Sequence, residues 1–309
     1  MLKLIRGIYN LPETFPRCVL TIGNFDGVHI GHQQLLKQLQ QKAREMGLPT
    51  LVITFEPQPN EFFKPQDAPP RLMRLHEKIR VLNTLGVDYV LCLRFDPLLA
   101  RLSAEDFVHT LLIDKLNAAY VLVGDDFHFG YKRGGDIRLL KQMGERLGFL
   151  AEQMPTYVFK GERVSSSRVR QALEQGRLDV AQQLLNRHYG ISGKVAHGDK
   201  RGRMLGFPTA NVFLHRKAVS LSGIYAVITH GVLPHPVKGV AYVGNRPTID
   251  GGGRSLLEVH LFDFNQEIYG RHIYVEFLHK LRDDKKFDSV ELMQQQILID
   301  AKQAREYFG

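Results

Sequence analysis

The apolar run Cys18-Val19-Leu20-Thr21-Ile22 passes directly into Gly23-Asn24-Phe25-Asp26-Gly27-Val28-His29-Ile30-Gly31-His32, after which Leu35, Leu36 and Leu39 recur at helical spacing. Within one glycine-bracketed turn the pattern changes from that of a buried strand to that of an amphipathic helix. Few architectures accept such a junction: strand, tight turn and helix open a parallel α/β unit. The first backbone N–H groups of the helix have no partner within it, and the dipole adds partial positive charge, so the junction suits phosphate. His29 and His32 lie three apart, on one helical face if the turn is already wound. Their imidazoles there can donate hydrogen bonds to a pentavalent phosphorus centre without acting as nucleophiles. A metal reading is weaker, because neither a third ligand nor a supporting carboxylate stands nearby; a capped surface helix is the plain alternative.

The chain has 309 residues, which predicts two domains. From Cys18 to about Met154, short β-rich runs alternate with longer amphipathic ones, the pattern of a parallel sheet wound with helices. Expected strands are Val19 to Ile22, Leu51 to Phe55, Tyr89 to Leu93, Tyr120 to Val123 and Phe149 to Gln153. Helices are expected around Leu35 to Met46, Leu75 to Leu85, Ala104 to Lys115 and Ile137 to Leu147. Ala172 to Leu185 reads as one further helix. From Ile191 to about Leu278, short β-like runs follow one another with turns at Pro234-His235-Pro236 and Gly251-Gly252-Gly253, which predicts an antiparallel barrel or sandwich. Ser289 to Tyr307 reads as a terminal helix packed by one face. The domain boundary is placed between residues 186 and 187.

A net charge of +9 admits nucleic acid as a partner, yet lysine and arginine are spread along the chain, and anionic small substrates such as ATP explain the same balance. A nucleic-acid-binding barrel would show surface aromatics interleaved with Lys and Arg, and the chain has no Trp. Cys18 and Cys92 are the only cysteines; both sit in apolar runs, which argues against a disulfide framework and for buried thiols in a reducing compartment. The N-terminus lacks the apolar core of a secretory signal and no run approaches a membrane span, so a cytoplasmic location without membrane contact is expected. A weak homo-oligomer is left open.

Two more stretches carry chemistry. Arg163-Val164-Ser165-Ser166-Ser167-Arg168-Val169-Arg170 sets three hydroxyls before a helical run and flanks them with guanidinium groups, which suits the charge of a leaving polyphosphate, although a serine cap is the simpler reading. Gly193-Lys194-Val195-Ala196-His197-Gly198-Asp199-Lys200-Arg201-Gly202-Arg203-Met204-Leu205-Gly206-Phe207-Pro208-Thr209-Ala210-Asn211 is glycine-rich and cationic, ends in a proline-fixed turn, and lacks the Walker spacing.

The longer form of the opening decapeptide resembles the bacterial bifunctional riboflavin kinase/FAD synthetase family, within the His-x-Gly-His nucleotidyltransferases. The serine element resembles that family's Ile-Ser-Ser-Thr-x-Ile-Arg, with Ser167 in place of Thr, and Pro208-Thr209-Ala210-Asn211 resembles the flavokinase signature. The resemblance runs from Arg17 to Arg305. It implies a Rossmann-like α/β nucleotidyltransferase domain followed by an antiparallel β-barrel flavokinase domain with a terminal helix. Riboflavin would be phosphorylated by ATP to FMN, and FMN adenylylated by ATP to FAD with release of pyrophosphate, both with Mg²⁺. For adenylyl transfer it implies His29, His32, Ser166, Ser167 and Arg170 as catalytic, and Gly23, Asn24, Phe25, Asp26, Gly31 and Arg163 as ATP-binding. Flavin contacts are assigned to Pro57, Pro59 and Phe62 after the second strand, and to Asp126 and Phe127 in Gly124-Asp125-Asp126-Phe127-His128-Phe129-Gly130. There a Mg²⁺ role for the paired aspartates stands second and an Asx turn is equally good. For the kinase it implies Glu258 as general base, Thr209 and Asn211 at Mg²⁺, and Gly193, His197, Gly198, Arg203, Gly206 and Pro208 around ATP. An adenylyltransferase for another phosphorylated metabolite, with the barrel as a regulatory appendage, is the competing reading within the same class.

Overall fold

The computed structural model of the chain describes residues 1–197, 207–214, 216, 218–246 and 254–309. The chain divides into two compact units, Met1–Pro69 with Met73–Ser165, and Pro70–Leu72 with Ser166–Gly309.

In the first unit β1 (Lys3–Arg6), β2 (Cys18–Ile22), β3 (Thr50–Glu56), β4 (Tyr89–Arg94), β5 (Ala118–Val123) and β6 (Leu150–Gln153) form one sheet of order β1-β4-β3-β2-β5-β6, parallel throughout. The connections are α1 (Ile30–Met46), α2 (Pro59–Phe63), α3 (Leu75–Thr84), α4 (Pro97–Arg101), α5 (Ala104–Asp106, continuing as π-helical backbone over Phe107–Lys115) and α6 (Ile137–Leu147). A hairpin of β7 (Val158–Phe159) and β8 (Glu162–Arg163) follows. Strands β2 and β5 are buried at every position, which is why they read as unbroken apolar runs: both faces of a central parallel strand are covered. Helix α6 is fixed at both ends, by Asp136, whose carboxylate accepts the Arg138 and Leu139 N–H groups at 2.9 and 3.1 Å, and by Gly148 at φ 80°. The strand order departs from β2 in two directions, to β3 and to β5, so the carboxyl edge of β2 is the point where ligands gather in such sheets. The edge strand β1 is an addition to the expected set.

Cys18 and Cys92 are buried thiols, as their apolar setting implies. Burial pushes the Cys18 thiol up to about 12. With so little thiolate at pH 8, Cys18 is expected to resist iodoacetamide in the native chain and to react fully in urea, a difference read by peptide mass.

The second unit begins with α7 (Ser166–Glu174) and α8 (Leu178–Leu185), where one helix was expected; Gly176 at φ 69° breaks the run. The strands β9 (Gly190–Ala196), β10 (Ala210–Phe213), β11 (Gly223–His230), β12 (Val237–Arg246), β13 (Arg254–Leu261) and β14 (His272–Arg282) close an antiparallel barrel in the order β10-β13-β12-β11-β14-β9. Closure leaves no unpaired edge. The Gly251 to Gly253 turn lies outside the described residues. The terminal helix, α9 (Val290–Phe308), is capped by Ser289, whose hydroxyl accepts the Leu292 N–H at 3.3 Å. Ala301 and Ala304 pack on Ile224, Ala226, Val240 and Phe262 of the barrel.

Arg282 clamps the buried Asp300 of α9 with two hydrogen bonds of 2.8 Å. Removing one partner of a buried pair leaves the other charge uncompensated. Asp300→Ala is therefore expected to destabilise the second unit by about 3 kcal/mol, seen as a lower urea midpoint for loss of its activity.

Candidate functional site

The decapeptide turn issues from the carboxyl end of β2 and continues the sheet pairing for one residue, the Gly23 N–H donating to Ile53 O at 3.0 Å. Phe25 and Val28 adopt φ of 48° and 43°, and Gly27 82°. A β-branched residue in the left-handed region costs roughly 1–3 kcal/mol, and Val28 is held there because it and Phe25 are buried. His29 is the N-cap of α1: its backbone is extended, and its Nδ1 accepts the His32 N–H at 3.3 Å, which leaves the ring proton on Nε2. The helix therefore starts one residue later than a wound His29 would need. The two imidazoles meet as a cap folded over the first turn, with centroids 3.7 Å apart and planes at 16°. Phe25 supports the His32 ring from 4.9 Å. A Cβ on Gly31 would approach His29 Nδ1 to 3.2 Å, which explains the glycine between the histidines. Burial, then the neighbouring His29 and Lys78, hold His32 well below the ordinary histidine range, so its ring is neutral.

Behind this turn stands a lysine that the sequence pattern did not disclose. Lys78 of α3 is only 2% exposed. Its ammonium donates to Asn24 O at 2.5 Å and to Thr54 Oγ1 at 3.1 Å. Asp26 accepts the Met73 N–H at 3.1 Å, a second tie between the turn and the approach to α3.

The other first-unit residues leave the same sheet edge. Pro57, Pro59 and Phe62 follow β3, and Phe62 joins Phe63 and Phe95 in an aromatic group with centroids 5.2 and 5.4 Å away. Asp126 and Phe127 follow β5, with Phe127 stacked on Phe129 at 5.5 Å. Arg163 of β8 reaches Asp125 at 3.0 Å and Asp126 at 2.9 Å, and Thr156 hydrogen-bonds Asp125. The paired aspartates thus face a guanidinium, and among the described residues no three His, Cys, Asp or Glu side chains cluster to hold a metal. Ser166, Ser167 and Arg170 open α7 and belong to the second unit, where Arg170 Nε donates to Pro70 O at 2.6 Å.

In the barrel, Asn211 of β10 and Glu258 of β13 are direct cross-strand partners, and Tyr242 of β12 stands next in the row. All three lie on the face opposite buried Val212, Leu257 and Val259. Two residues on from Glu258, His260 holds the approach to Thr209, its Nδ1–H donating to Pro208 O at 2.9 Å. A cavity of about 110 Å³ opens beside Pro208, Thr209, Asn211, Glu267 and Tyr269, and His197 stacks on Tyr269 at 3.9 Å. Gly193 lies in β9, where a Cβ would meet Val212 at 2.5 Å, so its role there is close strand packing. Gly198, Arg203 and Gly206 lie outside the described residues. The anchoring by His260 was not marked in the sequence, because His260 belongs to no glycine-rich or hydroxyl-rich run; Tyr269 stands in the Tyr269-Gly270 segment, which resembles the flavokinase order.

A helix N-terminus at the switch point of a parallel sheet, and a separate barrel pairing a carboxylate with neutral oxygen donors, are what an enzyme needs to transfer two different parts of a nucleoside triphosphate. The FAD synthetase family model matches residues 11–168, and the riboflavin kinase model residues 185–308. The chain is 48% identical over its whole length to the bifunctional riboflavin kinase/FMN adenylyltransferase of Escherichia coli (strain K12), covering 98% of that relative. It is 44% identical to the Haemophilus influenzae protein of the same name, with 100% of both chains covered. A crystal structure described as a macrolide-efflux protein from Streptococcus pneumoniae matches with a TM-score of 0.82 and 31% identity, over 98% of each chain. No helix among the described residues is long and apolar enough to cross a membrane. The chain belongs to the bifunctional riboflavin kinase/FMN adenylyltransferase family. It phosphorylates riboflavin with ATP and adenylylates the resulting FMN to FAD.

Proposed function

We propose that the two activities divide at residues 186/187, with adenylyl transfer carried by 1–186 and phosphorylation by 187–309. The observation that carries this division is the pair of stacked, neutral histidines at the α1 N-terminus, a setting for phosphate charge far in sequence from the Asn211–Glu258 pair. In adenylyl transfer an oxygen of the FMN phosphate attacks the α-phosphorus of ATP, and the α–β bridging bond breaks to release pyrophosphate. His29 and His32 donate N–H groups to the α-phosphate oxygens as negative charge gathers there. Gly23, Asn24, Phe25, Asp26 and Gly31 shape the ATP cradle, Arg163 adds a cation, and the resemblance assigns the departing pyrophosphate to Ser166, Ser167 and Arg170. Pro57, Pro59, Phe62, Asp126 and Phe127 take the flavin.

In the kinase, Glu258 accepts the proton of the riboflavin primary hydroxyl as that oxygen attacks the γ-phosphorus, and ADP departs. The Thr209 hydroxyl and the Asn211 amide carbonyl are hard, neutral oxygens beside a carboxylate, a donor set that fits Mg²⁺ sharing its shell with ATP phosphates. Mg²⁺ supplies charge neutralisation of the phosphates when bound. Gly193, His197, Gly198, Arg203, Gly206 and Pro208 surround ATP by the same resemblance. The enzyme works in the cytoplasm, apart from membranes and nucleic acid; its charge is dispersed, and ATP and FMN are anions. Chromatography of a reaction of riboflavin, ATP and MgCl₂ should show FMN and then FAD, with both absent in excess EDTA. Turnover that survives EDTA removes the Mg²⁺ assignment.

A further inference from the structure

We propose that Lys78 is a positioning residue of adenylyl transfer: a buried cation that fixes the Asn24 turn and sets the electrostatic field beneath the α1 N-terminus. The inference rests on the assignment of His29 and His32 to the α-phosphate.

Lysines are almost never fully buried unless paired. Lys78 spends its burial on the turn itself, donating to Asn24 O at 2.5 Å and to Thr54 Oγ1 at 3.1 Å, while the Thr54 hydroxyl donates to the same carbonyl at 3.3 Å. Three chain segments thus converge on one carbonyl, two residues before Asp26 and five before His29. The helix that carries Lys78 is itself fixed at this end, because buried Glu77 accepts the Arg74 N–H at 2.6 Å and Asp26 accepts the Met73 N–H. A methionine of similar length would fill the space but leave the Asn24 carbonyl without its ammonium donor. The charge thus holds the turn that leads into the histidines.

Its effect falls on the histidine pair. The His32 ring meets His29 from the cap, Phe25 from the turn and the positive charge of Lys78 from α3, with Asp26 buried in the same turn. Burial, His29 and Lys78 all disfavour the imidazolium. Burial is the largest of these, and Lys78 adds to it while placing a fixed, water-excluded positive charge on the side of the turn that the helix dipole already makes positive. The α-phosphate meets a constant field, with no ring protonation to vary with pH.

The test uses the full chain, with FMN, ATP and MgCl₂ as substrates and rates taken from pH 5.5 to 9. Lys78→Met is expected to lower kcat for FAD formation by about 30-fold, with KM for FMN changed by less than about threefold. The acid limb of its kcat profile should move to higher pH, and the His32 ring, followed by NMR, should titrate at higher pH than in the wild type. Lys78→Arg, which keeps the charge, should recover most of the rate and the original acid limb. A Lys78→Met enzyme with near wild-type kcat overturns the proposal. So does a slow enzyme with an unmoved acid limb that Lys78→Arg does not rescue, since that pattern marks packing alone. If Lys78→Met does not fold, Lys78→Gln, which keeps an N–H donor and loses the charge, decides by the same readouts: near wild-type kcat or an unmoved acid limb overturns the proposal, and a slow enzyme with a raised acid limb supports it. Failure of the underlying assignment has its own signature, a His32→Ala enzyme that still makes FAD.

Discussion

His32→Ala is expected to slow FAD formation from FMN by about 10²- to 10³-fold, the usual cost of removing one preorganised donor from a developing oxyanion, while riboflavin phosphorylation continues at the wild-type rate. The ring is held in place by its stack on His29 and by Phe25, and burial keeps it neutral. Alanine removes the N–H donor without disturbing the His29 cap, because that hydrogen bond uses the backbone N–H of residue 32. FMN should accumulate when riboflavin is the starting flavin. Product chromatography at saturating ATP reads both activities in one sample, and the kinase step serves as the internal control. FAD formation within about tenfold of wild type would remove His32 from the reacting centre.

Glu258→Ala is expected to give the reverse pattern: FMN formation falls by about 10²- to 10⁴-fold, the range for loss of a positioned base, and supplied FMN is still converted to FAD. Glu258→Gln should be as slow as alanine, since it keeps the shape and loses the proton acceptor. The strand should survive either change, because Glu258 stands on the face opposite the buried Leu257 and Val259. Loss of both activities, or retention of phosphorylation, would contradict the assignment.

Those parts of the fold that reveal themselves in sequence are the ones whose local and global demands agree. Strands β2 and β5 are buried at every position and read as apolar runs, and α6 lies at its expected residues because Asp136 and Gly148 mark its ends. Strand β1 was missed: four residues at a sheet edge, half-buried, carry too little pattern. The residues Pro208 to Asn211 read as a turn, yet β10 begins at Ala210, because closing the barrel recruits the residues just after the proline. The single helix expected over 172–185 is two, since its apolar spacing bridges the break at Gly176. For the site, the histidines and glycines were visible as a motif. Lys78 was not: within His76-Glu77-Lys78 it looks like part of a solvated face, and only the tertiary contact with Asn24 turns it inward. His260 was hidden for a similar reason, as an alternating strand residue whose partner is a carbonyl 52 positions away.

In the proposed kinase site, the pairing of Asn211 with Glu258 makes the chemistry a matter of parity. Successive side chains on a strand point to opposite faces, so sliding β10 by a single position would send Asn211 among the apolar side chains of the interior and leave a hydrophobic neighbour facing the carboxylate. Such a shift would expose Val212 and bury the Asn211 amide among apolar side chains, weakening the barrel as well as removing the pair. A shift by two restores the orientation but moves the amide about 7 Å along the strand, out of reach of its partner. On the proposed assignments, a length change that moved the register of β10 would cost the first reaction, and conversion of supplied FMN to FAD would continue.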